Sequence, residues 1–154
     1  MIDRFERFSV AIGEISRYWH KIAADELEKY GLKGSHSIYL TALYHFEDGI
    51  TATRLAELCG RDKSDVSRMM TIMEQKGLVI KTGANHYRAL LTLSEKGREA
   101  AEYIRRRAVT AVAIAGGELS DEKRAIFYEA LESIAANLRD LSQDGLPAEQ
   151  NVDP

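Results

Sequence analysis

The sequence predicts a mainly α-helical chain of six helices with one small β wing. Three observations predict it. Apolar residues recur at three- and four-residue steps over long stretches near both ends. Between those stretches, Thr51–Gly97 places two short helical patterns in succession, split at Gly60-Arg61-Asp62 and stopped at Gly77. Two short runs of apolar and β-branched residues then flank a turn rich in glycine and asparagine.

Each element has its own signal. The first helix takes about the first thirty residues, with Ile2, Phe5, Phe8, Ile12, Ile15, Trp19 and Ile22 as its stripe, and Gly31 and Gly34 ending it. A second helix is expected from about Ser35 to Phe46, with Ile38, Leu40, Leu43 and Tyr44 apolar. Glu47-Asp48-Gly49 is a turn, and Ile50 a strand of one or two residues. Thr51 caps the third helix, where Leu55, Ala56 and Leu58 are expected to face inward. Asp62 is placed to cap the fourth, and Asp65 favours its positive end. A hairpin pairs Leu78–Lys81 with Arg88–Leu93 around Thr82, Gly83, Ala84, Asn85 and His86. Ser94 caps a fifth helix to about Ala115, and Gly116-Gly117 interrupts. Ser120 caps a sixth, striped by Phe127, Leu131, Ile134, Leu138 and Leu141. The tail 142–154 is polar, holds both prolines and is expected to be flexible.

Bulk properties fit a soluble globular chain of 154 residues. No run approaches the roughly 18 apolar residues of a membrane span, and the charged start MIDRFERFSV lacks the apolar core of a signal peptide. The single cysteine, Cys59, excludes an internal disulfide and fits a reducing compartment. These features predict a cytoplasmic protein. The net charge is −3, but it is unevenly spread. From Arg54 to Arg88, seven basic residues face four acidic ones, a net +3, against 14 basic and 20 acidic residues elsewhere. A locally basic module on an acidic body suits phosphate binding by one face.

Helix, tight turn, helix and hairpin in that order read as a winged helix-turn-helix over residues 35–94. That arrangement carries one helix into the major groove of DNA. With Val66 of the fourth helix set at zero, Met70 falls near 40°, Met73 near 340° and Met69 near 300°, the buried stripe. Ser67, Thr71, Ser64, Gln75 and Arg68 fall between about 100° and 200°, on the opposite face. Short hydroxyls let a helix approach base edges, Gln pairs with adenine, and Arg pairs with guanine or phosphate. Arg61 and Lys63 are candidate phosphate contacts, and Arg54 a weaker one. Lys81, Asn85, His86 and Arg88 give the hairpin a basic tip suited to a minor groove or a phosphate strand.

These residues resemble the multiple antibiotic resistance regulator (MarR) family of bacterial transcription factors over nearly the whole chain. "DKSDVSRMMTIMEQKGLV" is similar to that family's recognition helix and first wing strand, and "LLTLSEKG" to its second wing strand entering the fifth helix. The long first helix and a final helix ending in "SIAANL" also match. The resemblance implies a triangular homodimer that represses or activates from a near-palindromic operator and is usually relieved by a small ligand. It departs from the family at the wing. The family's Asp-x-Arg positions are Asn85 and Tyr87 here, with Arg88 displaced by one. On this reading one domain spans 1–154, residues 1–34 and 95–141 are dimerisation helices, and paired recognition helices read one DNA turn apart.

The resemblance also implies an aromatic or phenolic effector held between the dimer helices and the DNA-binding lobe. Tyr18, Trp19, His20, Tyr30, His36 and Tyr39 are the candidates, set against ordinary core packing. A redox role for Cys59 needs exposure and positive company, with Arg61 nearby. A metal role needs His20, His36, His45 and His86 gathered across helices, since none forms a His-x-x-x-His pair. No enzyme motif is present, and no cofactor is expected. A protein-interaction module is the remaining alternative, disfavoured by the hydroxyl-rich face.

Overall fold

The computed structural model describes residues 3–83 and 89–148. They form six α-helices and a three-stranded antiparallel sheet, in two compact units, Met1–Ala111 and Val112–Pro154. The wing-tip residues Asn85, His86 and Arg88 lie outside the described residues.

In the first unit, α1 spans Arg4–Leu27. Asp3 caps it: its carboxylate accepts from the Arg4 N–H, and its own N–H donates to Glu6 Oε2 at 3.2 Å. A 3₁₀ turn, Glu28–Tyr30, finishes the helix, and Gly31 closes it. Only the C-terminal end of α1, at Ala23 and Leu27, is buried. The expected apolar stripe through Phe5, Phe8, Ile12, Ile15 and Ile22 is exposed.

A 3₁₀ turn at Gly34–His36 leads into α2, Ser37–Tyr44, which is shorter than the sequence suggests. Its Tyr39, Leu40 and Leu43 enter the core. Next come β1 (Ile50–Thr51), α3 (Ala52–Cys59) and α4 (Lys63–Gln75). The strands β2 (Val79–Thr82) and β3 (Leu90–Leu93) lead to α5 (Glu95–Ala115). The sheet order is β1-β3-β2, with Ile50 opposite Leu91 and Val79 opposite Leu93. The core is built from Leu27, Leu40, Leu43, Leu55, Val66, Met70, Met73 and Leu78, together with Ala100 and Ala101 of α5.

One inward assignment is corrected. On α3, Leu55 and Ala56 are buried, but Leu58 is 46% exposed and Cys59 takes the third core position. At 100° per residue Cys59 lies within about 40° of Leu55, whereas Leu58 sits about 60° to the other side, away from Ala56.

Two glycines permit close approaches. A β-carbon at Gly34 would overlap the His20 carbonyl oxygen, and one at Gly97 would overlap that of Leu78. Gly34 thus lets the start of α2 lie against α1, and Gly97 lets α5 lie against the start of the wing.

In the second unit, α6 spans Asp121–Asp144, capped by the Ser120 hydroxyl, which accepts from the Lys123 N–H at 3.3 Å. The helix runs past Leu141 into residues expected to be tail, because no breaker intervenes before Gly145. Arg124 donates to the carbonyls of Gly116 and Leu119, each at 3.2 Å, and so fixes the turn before the helix. No residue of α6 is buried, so its apolar stripe is uncovered.

Candidate nucleic-acid interface and the cavity behind it

The helix-turn-helix is made by α3 and α4. Thr51 caps α3 by accepting from the Arg54 N–H at 3.3 Å. Gly60 ends α3 in the left-handed region, and the Arg61 N–H returns to the Ala56 carbonyl at 3.0 Å, which makes the tight turn. Asp62 takes the extended backbone of an N-cap, but its side chain makes no capping hydrogen bond, contrary to expectation. The helix instead begins with the Val66 N–H on the Asp62 carbonyl at 3.0 Å.

Val66, Met70 and Met73 are buried, and Met69 is half-buried. Ser64, Ser67, Arg68, Thr71 and Gln75 are all exposed on the far side. Arg61 and Lys63 are exposed at the start of the helix. The Thr71 hydroxyl donates to the Ser67 carbonyl at 3.0 Å, which fixes its rotamer on this face. Arg54 forms an exposed pair with Glu57 at 2.9 Å on α3.

Asp65 has a role that the sequence did not disclose. One carboxylate oxygen accepts from the Tyr39 hydroxyl at 2.9 Å, and the other lies 3.5 Å from Arg68 Nη2. Tyr39, a proposed effector contact, is buried instead within the helix-turn-helix core. Burial and the Asp65 hydrogen bond push its phenol up to about 12.

At the base of the wing, Lys81 pairs with Glu74 of α4 at 3.1 Å. The Ser94 hydroxyl donates to the Gly77 carbonyl at 2.6 Å and accepts from the Gly97 N–H at 3.0 Å. Lys96 donates to the Lys76 carbonyl at 3.2 Å. These bonds satisfy carbonyls at the end of α4 and hold α4, the wing and α5 in register.

Behind the helix-turn-helix, α1, α2 and α5 line a half-open cavity of about 470 Å³. Trp19 and His20 line it, with Ile38 and Thr41 of α2 and Arg105 and Arg107 of α5. Of the six residues proposed for an effector, only these two line it; Tyr18, Tyr30, His36 and Tyr39 do not. His36 is a buried core residue whose Nδ1 accepts from the Lys33 N–H at 3.0 Å. Burial, then the charges of Lys33 and Lys76, hold its imidazole below the usual histidine range. Tyr30 packs edge-on against Tyr103, with Lys29 over both rings. Tyr18 is exposed and lies under the Arg17 guanidinium.

Sequence reasoning missed the cavity's polar wall. Glu26 accepts from Arg107 Nε at 2.7 Å and from the Tyr103 hydroxyl. The Arg107 hydrogen bond, followed by that of Tyr103, holds the Glu26 carboxyl below the usual carboxylate range. Arg105 donates to His45 at 3.0 Å and lies over the Tyr44 ring. The run Arg105-Arg106-Arg107 was visible, but its partners are 60 and 81 residues away.

Cys59 is buried, and burial pushes its thiol up, against a weaker opposing pull from Arg61. That is the opposite of the exposed, acidified thiol that oxidant sensing requires. Among the described residues no helix is long and apolar enough to cross a membrane.

Residues 30–88 match the model of the MarR family. No curated protein matches the chain. Among solved structures, a SlyA-like transcription regulator from Listeria monocytogenes is 25% identical with a TM-score of 0.79, covering 91% of this chain and 96% of its own. A MarR-family transcriptional regulator from the same organism, complexed with 26mer DNA, is 24% identical with a TM-score of 0.78, covering 97% and 100%. A MarR transcriptional regulator from Methanosarcina mazei Go1 is 22% identical with a TM-score of 0.78, covering 88% and 99%.

Proposed function

We propose that this chain, whose residues 30–88 match the model of the MarR family, is a member of that family and a dimeric, sequence-specific DNA-binding regulator, a repressor released by a small ligand. The observation that carries the reading is α4. It presents Ser64, Ser67, Arg68, Thr71 and Gln75 together on an exposed face, with Arg61 and Lys63 at its start. A polar helix face with a basic rim suits base edges inside a rim of phosphates. The solved relative that holds 26mer DNA supports the same reading.

The dimer reading rests on uncovered apolar surface. Phe5, Phe8, Ile12 and Ile15 of α1 are exposed, as are Phe127, Ile134, Leu138 and Leu141 of α6. Faces of this extent are usually covered by a partner chain, and a near-palindromic site needs two recognition helices. The ligand reading rests on the cavity. Trp19 and Ile38 offer aromatic and apolar contact, and Arg105 with Thr41 offers polar anchors, which fits a small aromatic effector. One face of α2 walls the cavity while Tyr39 on the same helix bonds α4, so α2 is the element through which a ligand is felt.

Selection of genomic DNA fragments by the purified protein tests the reading. Recovery of a near-palindromic duplex, bound with affinity that falls steeply with salt, is the expected result. Failure to enrich any fragment would leave the interaction-module reading in its place.

A further inference from the structure

We propose that Tyr39 is a specificity-determining positioning residue: its hydroxyl fixes Asp65, and Asp65 fixes Arg68 on the reading face of α4. The inference rests on that face being the one that meets DNA.

The geometry runs through three side chains on two helices. Tyr39 is only 2% exposed, and its ring is held in the core of the first unit. Its hydroxyl reaches Asp65 Oδ2 at 2.9 Å, across 26 residues of sequence. Asp65 Oδ1 then faces Arg68 Nη2 at 3.5 Å, one helical turn on. The Arg68 side chain is 74% exposed and the Asp65 side chain 38%. An exposed pair at that distance holds little by itself. A carboxylate pinned from below by a buried phenol is different, because one oxygen is committed and the other has a fixed place. The guanidinium above it then has a preferred direction, which matters because recognition of guanine by arginine requires its planar fork to arrive aligned.

The phenol remains a donor throughout the physiological range, since its titration lies near 12. The contact adds nothing to the reading face itself, because Tyr39 lies under α4. Its role is to orient Arg68.

The test is selection from a randomised duplex library with the full-length protein and with Tyr39→Phe, Asp65→Asn, Arg68→Ala and Tyr39→Phe/Arg68→Ala. Affinities for the wild-type-selected duplex and a scrambled duplex are measured alongside. Arg68→Ala is expected to lose base preference at defined positions. Tyr39→Phe and Asp65→Asn are expected to lose preference at those same positions, by about five- to tenfold, with affinity for the scrambled duplex unchanged in Tyr39→Phe and raised in Asp65→Asn, which removes a negative charge beside Arg68. The double variant is expected to lose no more than Arg68→Ala. Wild-type preference in Tyr39→Phe and Asp65→Asn, with Arg68→Ala impaired, would overturn this inference alone. Equal loss on both duplexes would reduce Tyr39 to a structural role and overturn it too. Full preference in Arg68→Ala would overturn both the reading face and this inference.

Discussion

The ammonium of Lys81, on the first wing strand, is held 3.1 Å from the carboxylate of Glu74, near the end of α4. Lys81 therefore has an acidic partner within the chain, and its side chain is only 26% exposed. Replacing Lys81 with Ala is expected to change DNA affinity by less than about twofold and to leave the salt slope unchanged. Replacing Glu74 with Ala frees the ammonium. It is expected to tighten binding to any duplex and to raise the slope of log affinity against log salt by about one. Fluorescence anisotropy across a salt series measures both. A large loss in Lys81→Ala would mean that the lysine exchanges Glu74 for phosphate.

Arg68 is the cation on the proposed reading face of α4, and its side chain is mostly exposed. Arg68→Ala is expected to weaken binding to the selected duplex by about 1–3 kcal/mol and to leave thermal unfolding within about 0.5 kcal/mol of the parent. Unaltered duplex affinity would place the reading face elsewhere on the helix.

Much of this fold can be read locally. The caps at Thr51, Ser94 and Ser120 and the buried stripe of α4 follow from residues within four positions of one another, and each stands where the sequence places it. The polar face of α4 is legible for the same reason. Sequence and structure part where a local signal is degenerate: leucine is apolar whichever way it points, so the pattern turns Leu58 inward although Cys59 is closer to the line of Leu55. Pairings across distance were not legible. At Tyr39 the sequence signal is equally degenerate, because an aromatic with a polar tip suits both a pocket and a core; its burial and its bond to Asp65 separate the two. Glu26 and Arg107 meet across 81 residues, with no sequence signal linking them.

Gly97 sets the approach of α5 to the wing. Gly97→Ala forces its β-carbon onto the Leu78 carbonyl oxygen, a backbone atom with no freedom to swing aside. A loss of about 1–3 kcal/mol in denaturant unfolding is expected, as for overpacking in a well-filled core. The Ser94 bonds to Gly77 and Gly97 should loosen with it. Unchanged stability would mean that α5 shifts freely against Leu78.

His36 makes stability depend on pH with a definite sign. Its folded-state titration lies below the ordinary value of 6.5, so the unfolded chain takes up the proton first. The stability that neutral His36 contributes is therefore complete above about pH 6.5 and is lost as pH falls through its lower folded value. Denaturant midpoints should decline from pH 7.5 to 5 in the parent and decline less in His36→Gln, whose amide oxygen can still accept from Lys33. Parallel profiles would assign the decline to other groups.

The exposed faces of α1 and α6 and the polar face of α4 meet in one claim: two copies of this chain read DNA together. Hydroxyl-radical footprinting of the complex with a genomically selected duplex tests that claim most directly. The account predicts two symmetric protected patches centred one helical turn apart, about 10 base pairs, or a whole multiple of it, both weakened in Arg68→Ala at the protein concentration that just saturates the parent. A single asymmetric patch, or undiminished protection in Arg68→Ala at that concentration, would contradict it.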